Sequence, residues 1–453
     1  MTIKNYDYVI IGAGSANEFA FEAANKGYKT ALIERGFAGG TCLNRGCIPT
    51  KVMLQSADIA HYVEESSEFG INSNITGIDF QIIKKRVADI VDFWRSKLLQ
   101  RIESTPNLDY YNHSARFIGD KIIEAHGEKI RGNKFVIAVG MRPLIPKIKG
   151  LDAVEYLTNE NILELKRVPK SIAVLGGGYI GMELAYFFKS LGSEVFIIEM
   201  KDKLLSEIEP SLSEKFNEYA EGRYKVFLNT KLESVEQSEK SAKLICDKNG
   251  EKIEIYAEKI LVSTGRVCNT DSLDCEKSGI LLDKRGYIIT NDFFQTKNQD
   301  IWATGDCIGT PAFRHIANYQ IDILMKNLLF GKRLTPDYSI VPYAVFGFPE
   351  IASVGLSLDS ARLKNKNVVS KKLGYFGNAK GKALGYKGFC KAVIDSDTDK
   401  ILGFHIIGPY ASILIHEILP VMTAGLPFNN ITNSIHIHPA LSELVAWTFT
   451  EGN

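Results

Sequence analysis

No stretch of this 453-residue chain stays apolar for the ~18 consecutive residues that a membrane-spanning helix needs. The first residues, MTIKNYDYVIIGAG, pass directly into a pattern typical of a buried strand. Because a signal peptide needs an apolar region and a cleavage site before the fold begins, we expect none here. We therefore expect a cytoplasmic protein that has no membrane association.

The chain also lacks an excess of charge of either sign. It has 54 Lys and Arg against 53 Asp and Glu, which gives a net charge of +1 at pH 7. Because there is neither a basic face nor an acidic tail, we expect no binding to nucleic acid and no disordered partner segment. A chain of this length with 45% hydrophobic residues predicts about three domains with large cores.

Cysteines are few, and their number argues against a secreted disulfide framework. There are seven, an odd number in a long chain. In the cytosol, a disulfide that persists is more often catalytic than structural. No second cysteine pair and no histidine cluster supplies the further ligands of a zinc site, so no metal is predicted.

What the sequence does contain is one strand, turn, helix and strand pattern that occurs twice. The first copy, YDYVIIGAGSANEFAFEAANKGYKTALIE, has Gly12 and Gly14 in its turn and Glu34 at the end of its second strand. Such a turn lets a pyrophosphate approach the backbone at a helix N-terminus, and the acid hydrogen-bonds a ribose. Asn17 stands where the pattern has its third glycine, which weakens the match but keeps the phosphate turn.

The second copy is SIAVLGGGYIGMELAYFFKSLGSEVFIIE, which ends in Glu199. Its motif glycines are Gly176, Gly178 and Gly181. One Gly-rich turn would be weak support, but two copies that both end in Glu favour two dinucleotide sites and an electron relay between two cofactors. Glu199 would repel a 2′-phosphate, so NAD is favoured, although Lys201 and Lys203 leave NADP open.

The segment GGTCLNRGCIPTK, residues 39–51, places Cys42 and Cys47 five positions apart. In a regular helix their Cα atoms would be about 8–9 Å apart, which is too far for a disulfide. A bridge therefore requires Cys42 in an entering loop and a helix that begins near Cys47, where a thiolate is stabilised and reactive. Pro49 suits a first helical turn, and glycines at 39, 40 and 46 permit the bend. A purely structural bridge would close too short a loop to add much stability, which favours a redox disulfide.

Six segments in order extend this interpretation: GGTCLNRGCIPTK, GGGYIGMELA, STGR, IWATGDC, PEIASVGLS and HIHPALSE. The set resembles the class I pyridine nucleotide–disulfide oxidoreductases, the flavoenzymes that include dihydrolipoamide dehydrogenase and the glutathione, mycothione and mercuric reductases. The likeness spans essentially the whole chain. It implies an α/β fold with two Rossmann-like dinucleotide-binding domains, one for FAD and one for NAD, and a C-terminal α+β dimerisation domain. The boundaries expected are 1–150 with 270–340 for FAD, 151–269 for NAD and 341–453 for the interface.

The resemblance also implies roles for individual residues. Cys42 would exchange with the substrate while Cys47 lies beside the flavin in a charge-transfer contact. Lys51 and Glu183 would pair near the flavin N5, and Tyr179 would gate the nicotinamide pocket. The other cofactor contacts expected are Gly12, Gly14, Glu34, Gly40, Thr41, Lys51, Gly140, Gly176, Gly178, Gly181, Glu199, Gly265 and, at the ribityl–pyrophosphate part of FAD, Asp306.

The segment HIHPALSE contains a candidate base. A dithiol substrate must lose protons, and histidine is the residue type best suited to accept them near neutral pH, which makes His438 the candidate base. Pro439 is expected to begin a helix that brings Glu443 back to orient this imidazole. In relatives this segment comes from the neighbouring subunit, so the resemblance implies a homodimer with shared active sites. We interpret His436 as structural.

Membership of this family would not identify the substrate. Three features of particular family members are missing from this sequence, and their absence reduces the number of candidate substrates. The chain ends AWTFTEGN, without the C-terminal cysteine pair of mercuric reductases or the redox pair of large thioredoxin reductases. Glu22 follows Ser15 by seven residues, where glutathione reductases have an arginine, and would repel glutathione. GAGSAN resembles mycothione reductases, whereas Glu199 indicates NAD and hence dihydrolipoamide dehydrogenase.

We predict oxidation of dihydrolipoamide to lipoamide by NAD, with membership of a lipoyl-bearing multienzyme complex left open. The alternative is an NAD(P)H-dependent reductase of a low-molecular-weight disulfide such as a mycothione-like thiol. A flavoprotein without disulfide chemistry is disfavoured, because it would not need both cysteines together with His438 and Glu443.

Overall fold

Strands and helices alternate along the chain, which the computed structural model describes over residues 3–238, 241–364 and 367–452. The strands are β1 (Ile3–Ile11), β2 (Thr30–Ile33), β3 (Leu108–Tyr111), β4 (Ala115–Gly119), β5 (Ile122–Ala125), β6 (Glu128–Ile137), β7 (Met141–Pro143), β8 (Tyr156–Leu157), β9 (Ser171–Leu175), β10 (Glu194–Ile198), β11 (Lys225–Phe227), β12 (Thr230–Gln237), β13 (Ala242–Lys248), β14 (Glu251–Ala257), β15 (Lys259–Val262), β16 (Arg266–Cys268), β17 (Ile301–Ala303), β18 (Tyr343–Val345), β19 (Ile351–Gly355), β20 (Val368–Gly374), β21 (Phe389–Asp395) and β22 (Ile401–Ile407). The α-helices are α1 (Asn17–Asn25), α2 (Gly40–Asn44), α3 (Cys47–Glu65), α4 (Phe80–Ser104), α5 (Tyr179–Ser190), α6 (Pro210–Arg223), α7 (Arg314–Phe330), α8 (Leu358–Lys364), α9 (Ala379–Leu384), α10 (Ala411–Leu414), α11 (Leu419–Thr423), α12 (Asn429–Thr432) and α13 (Ser442–Thr450).

The first Gly-rich turn follows the central strand of a seven-stranded sheet. β1 pairs in parallel with β2 on one side and with β6 on the other, and β17, from much later in the chain, pairs in parallel with β6. The strand order is β3-β2-β1-β6-β5-β4. The run YVII of β1 is continuously apolar because both faces of the strand are covered: α1 and α7 share the core on one face, and side chains from the β4–β5 end of the sheet and from residues 268–288 share the core on the other.

The second Gly-rich turn follows the central strand of a parallel sheet with the order β11-β10-β9-β15-β8. Helices α3, α5 and α6 share the core on one face of this sheet, and the antiparallel strands β12, β13 and β14 cover the other face. Helix α3 is connected to the first unit but packs against α5 of the second. The helix that begins at Cys47 therefore spans both nucleotide-binding units.

The C-terminal region forms an antiparallel sheet with the order β18-β19-β22-β21-β20. Helices α10 to α13 contribute to the core on this sheet. The predicted α/β class, with two Rossmann-like units and a C-terminal α+β unit, is confirmed. The domain boundaries stay predictions. Among the helices that the structure describes, none combines the length and the apolar composition needed to cross a membrane.

Candidate active site

The two predicted redox cysteines lie on either side of a break between helices. Cys42 lies in the one-turn helix α2, and α3 begins at Cys47. A helix start at Cys47 is what the sequence predicted, but the prediction that Cys42 lies in a loop is wrong. Gly39, the residue before α2, has a left-handed backbone conformation with φ 97°, which glycine adopts without strain. This conformation lets the short helix that contains Cys42 begin at Gly40. At Gly46, between the helices, a Cβ would lie only 3.0 Å from the carbonyl oxygen of Thr41, so this close approach favours glycine.

The two cysteines are free thiols that differ in acidity. Hydrogen bonding with Cys42 lowers the pKa of Cys47 to about 7, and the charges of Lys51 and Arg314 lower it further against the effect of burial. The same interaction raises the pKa of Cys42, and burial adds to that rise. Of the two thiols, Cys47 therefore loses its proton more readily, and Cys42 keeps its proton to higher pH. A disulfide between them stays a prediction.

Lys51 and Glu183 form an ion pair that joins α3 to α5. The Lys51 ammonium donates to both carboxylate oxygens of Glu183, at 2.8 and 3.0 Å. The amide of Phe346 donates to the same carboxylate at 3.0 Å, and the ammonium lies 4.3 Å from the centre of the Phe346 ring. Glu183 is only 5% exposed, and burial raises its pKa while Lys51 lowers it. A cation is thereby fixed one helical turn from Cys47.

The first Gly-rich turn has the geometry of a dinucleotide site. At Gly12, with φ 107°, a Cβ would collide with the carbonyl oxygen of Ala138. The Glu34 carboxylate accepts hydrogen bonds from the amides of Ala13 and Gly36, both at 2.9 Å. These bonds hold the acid at the end of β2, beside the turn.

The second turn repeats this arrangement. Glu199, after β10, accepts hydrogen bonds from the amides of Gly177 at 2.6 Å and Lys201 at 2.8 Å. A Cβ at Gly181 would collide with the carbonyl oxygen of Gly176, so helix α5 packs directly against the turn. The Lys201 side chain pairs with Glu207.

A cavity of about 1120 Å³ connects the first turn with the cysteines. Its walls include the predicted cofactor contacts Gly14, Glu34, Gly40, Thr41, Gly140 and Asp306, with both cysteines, Lys51, Glu183 and Tyr179. Ordinary small-ligand pockets measure roughly 300–1,000 Å³, so this cavity has room for an extended dinucleotide. Its volume, its glycine turn and its fixed acid fit FAD. The remaining predicted contacts lie outside its walls: Gly12, Gly176, Gly178, Gly181, Glu199 and Gly265.

Tyr179, at the start of α5, lies in the wall of this cavity, and burial raises its pKa. The nearby charge of Arg266 opposes this rise in the Tyr179 pKa, and the Tyr179 ring centre is 6.0 Å from that of Phe313. Arg266 in turn forms an ion pair with Asp306 at 2.8 Å. The sequence analysis quoted STGR without giving Arg266 a role. It also missed Phe313 and Arg314, which the start of a helix just after the IWATGDC strand could have indicated.

The candidate base is held by its predicted partner, but away from the cysteines of the same chain. His438 Nδ1 lies 2.8 Å from Glu443 Oε1, and the Ala440 amide donates to Glu443 Oε2 at 3.0 Å. The Ala440 hydrogen bond and His438 lower the pKa of Glu443, which is 6% exposed. The His438 side chain is 68% exposed and does not line the cavity. The predicted helix start at Pro439 is wrong, because α13 begins at Ser442, after the turn in which Ala440 binds Glu443.

Other predicted polar groups lie outside the cavity. His436 Nε2 is 3.1 Å from Glu417, and Glu22 lies on α1. The five further cysteines are buried: Cys246, Cys268, Cys275, Cys307 and Cys390. Within the described ranges, no group of three or more His, Cys, Asp or Glu side chains is arranged to hold a metal ion.

Comparison with known proteins gives the family. Residues 6–320 match the pyridine nucleotide-disulphide oxidoreductase family, and residues 341–449 match the dimerisation domain of the same family. The chain belongs to this family, as its motifs predicted. Members are FAD-dependent and use NAD(P)H as electron donor, so the chain is a flavin-dependent oxidoreductase. The dimerisation domain supports a homodimer.

Its relatives carry several different activities. A mercuric reductase of Lysinibacillus sphaericus is 34% identical over 98% of this chain and 83% of its own length. A dihydrolipoyl dehydrogenase of Chlamydia muridarum is 35% identical over 97% of this chain and 95% of its own. Among solved structures, the HOCl-induced flavoprotein disulfide reductase RclA from Escherichia coli superposes on this chain with a TM-score of 0.89. The match covers 98% of this chain and 99% of RclA, and the two sequences are 28% identical.

Proposed function

We propose that this protein oxidises dihydrolipoamide to lipoamide with NAD, through FAD and a redox disulfide between Cys42 and Cys47. The observation that carries the proposal is the acidity difference between two adjacent thiols in a cavity that also contains the Lys51–Glu183 pair. The proposal includes a cytoplasmic setting and allows the lipoyl groups of a multienzyme complex as a source of the dithiol.

The exchange begins with the disulfide form. One substrate thiolate attacks the Cys42 sulfur, which breaks the disulfide and releases Cys47 as a thiolate. The second substrate thiolate then attacks the substrate sulfur of this mixed disulfide. A cyclic disulfide leaves, and Cys42 takes up a proton. The substrate has lost two electrons and two protons, and the cysteine pair has gained the two electrons.

The difference in acidity between the two thiols supports these roles, in which Cys42 is attacked by the substrate and Cys47 is released as a thiolate. A thiol with a low pKa is a good leaving group, so release of Cys47 is favoured. Lys51 and Arg314 stabilise the resulting negative charge. FAD, when bound in the cavity, supplies a carrier that accepts two electrons from the cysteine pair and delivers them as hydride to the nicotinamide.

The two thiols of the substrate lose their protons as they react, so a base is needed near Cys42. His438 is exposed and is oriented by Glu443, but it does not line the cavity that contains Cys42 of its own chain. This placement supports a site completed by His438 from the second subunit of a homodimer. The ionised Glu443 keeps the imidazole oriented and stabilises its protonated form.

The choice of NAD depends on Glu199. Its carboxylate is fixed by two amides at the end of β10, where it would bind the ribose hydroxyls of NAD and repel a 2′-phosphate. The Lys201 side chain is engaged by Glu207, which lowers its availability for such a phosphate.

The alternative is an NAD(P)H-dependent reductase of a low-molecular-weight disulfide, favoured by the full-length similarity to RclA, a disulfide reductase. The test is to mix the purified protein with NADH and NADPH and to follow bleaching of the flavin. Turnover is then measured with dihydrolipoamide, with small disulfides and with Hg(II). Bleaching by NADH and turnover of dihydrolipoamide support the proposal. Preference for another substrate contradicts it.

A further inference from the structure

The C-terminal unit contains a basic segment that the even charge of the whole chain conceals. Residues 361–394 include nine Lys and Arg side chains and no Asp or Glu. This segment contains β20, which is the edge strand of the C-terminal sheet, helix α9 and most of β21. A local excess of charge of one sign attracts partners of the opposite sign and raises their concentration at that surface.

Two of these lysines, Lys380 and Lys382, lie near the candidate base. Both are exposed and belong to the six-residue helix α9. Asn378, the residue before α9, donates to Glu443 Oε2 at 3.4 Å, and the other oxygen of Glu443 binds His438. Two ammonium groups are thus within four residues of a contact that holds the group positioning the base.

Neither lysine is neutralised by an acid of its own chain. In the ranges that the structure describes, no carboxylate oxygen lies within 4 Å of the ammonium of Lys380 or Lys382. Lys391, in the same segment, differs because it is paired with the buried Glu209 at 2.6 Å. The two charges of α9 are therefore available to acidic groups of another molecule.

Apolar side chains beside His438 indicate where the second subunit lies. Ile435 is fully exposed and Ile437 is 80% exposed in the single chain. The cores of subunit interfaces are apolar and poor in lysine. The two isoleucines therefore suit the contact with the second subunit, whereas the lysines of α9 suit the rim of the active site that the two subunits share. In the homodimer this rim would lie at the entrance to Cys42 of the other subunit.

We propose that Lys380 and Lys382 dock the acidic surface of a protein that carries the dithiol, and so bring its dithiol arm to the shared active site. This inference rests on the proposed function and selects, among the sources of dithiol that it allows, one attached to a protein. The attraction acts on the carrier protein, so the reacting dithiol itself is neutral, as in dihydrolipoamide. Charges at the rim of an interface mainly speed association, which suits a carrier that binds briefly at each turnover.

Two synthetic peptides test this docking surface. Each contains one dihydrolipoyl-lysine, flanked on both sides by three Glu in the first peptide and by three Gln in the second. With the dimeric holoenzyme and NAD at low salt, we expect kcat/KM to be about three- to fivefold higher for the Glu peptide, because exposed charge pairs contribute modestly. The preference should disappear at about 1 M salt, where charges more than ~3 Å apart are screened. Equal values for the two peptides at low salt overturn the proposal.

Variants assign this preference to α9. In Lys380→Gln/Lys382→Gln it should fall below about twofold, because the two charges are lost. Lys284→Gln/Lys297→Gln is the matched control, since it removes two exposed lysines elsewhere on the chain, and it should keep the preference. An unchanged preference in the first variant, or an equal loss in both, overturns the proposal. So does dissociation of the first variant into monomers in size-exclusion chromatography, which would assign the lysines to the subunit interface.

A binding measurement separates failure of the docking surface from failure of the proposed function. Fluorescein-labelled peptides with six Glu or six Gln and no lipoyl group are titrated with the holoenzyme and followed by fluorescence anisotropy. Tighter binding of the Glu peptide that is lost in Lys380→Gln/Lys382→Gln supports docking, even where dihydrolipoamide is not oxidised and the proposed function alone fails. An oligothymidylate with six phosphates that binds more tightly than the Glu peptide overturns the assignment to a protein partner.

Discussion

Lys51 Nζ lies 2.8 Å from Glu183 Oε2, and this contact connects the helix that starts at Cys47 to the helix that starts at Tyr179. A charge within α3 is thereby fixed by a buried carboxylate from the second nucleotide-binding unit. The pair positions the cation that helps to stabilise the Cys47 thiolate.

Replacing this cation should make Cys47 less acidic. In Lys51→Met we expect the pKa of Cys47 to rise by about one unit from its present value near 7, because an attractive charge is lost. Since alkylation requires the thiolate, its rate at pH 7 falls and its pH midpoint moves upward. The measurement is the pH profile of iodoacetamide modification of the reduced enzyme. Lys51→Arg, which keeps the charge, is the control, and an identical midpoint in Lys51→Met would count against this role.

The same substitution should destabilise the fold, because Glu183 would remain buried without its cation. We expect Lys51→Met to lose about 1–3 kcal/mol in urea unfolding. Solvent keeps this below the loss for a fully buried pair, since the Lys51 side chain is 35% exposed. The double variant Lys51→Met/Glu183→Met should recover most of the loss, because it removes the buried charge. A double variant less stable than Lys51→Met would contradict this explanation.

Coenzyme choice should depend on Glu199. In Glu199→Ala, kcat/KM for NADH should fall about 10- to 100-fold, because two hydrogen bonds from the ribose to a charged group are lost. The value for NADPH should stay equal or rise, since the repulsion of its phosphate is removed. Stopped-flow bleaching of the flavin measures both. Glu34→Ala is the matched control, because it changes the acid of the first turn and should affect FAD retention instead.

Shared active sites can be tested with mixed dimers. Cys42→Ser and His438→Gln homodimers should each lose disulfide turnover, the latter by about 10²- to 10⁴-fold through loss of the base. A heterodimer of the two, isolated with different affinity tags, should regain about half of the wild-type activity per dimer, because one of its two sites then has both native groups. A heterodimer as inactive as its parents would mean that Cys42 and His438 act within one chain.

Features of the fold and of the site could be predicted from the sequence where they depend only on residues close together in the chain. The positions of Gly12 and Glu34, and of Gly176 and Glu199, follow from the length of a βαβ unit, since the turn and the acid at the next strand end must lie at the same sheet edge. The start of α3 at Cys47 follows from the flanking glycines. The His438–Glu443 contact lies within one loop and one helical turn.

Contacts between residues that are far apart in the sequence could not be predicted from local spacing. The pairing of Lys51 with Glu183 was suggested by resemblance to a family, and nothing in local spacing requires it. The contacts of Arg266 and Arg314 depend on how α7 and β16 pack around the cavity. The start of α13 was misplaced because Pro439 suits a first helical turn, whereas the Glu443 carboxylate already satisfies the Ala440 amide outside the helix.

The central claim, that substrate electrons pass through the Cys42–Cys47 pair, is tested most directly by assaying one variant in two ways. Cys42→Ser should bind FAD normally, and NADH should bleach its flavin at a rate near that of the wild type. Its turnover of dihydrolipoamide and of every small disulfide should be abolished, because the thiol proposed to form the mixed disulfide is lost and Cys47 has no partner for a disulfide. Disulfide turnover by Cys42→Ser at the wild-type rate would contradict the account.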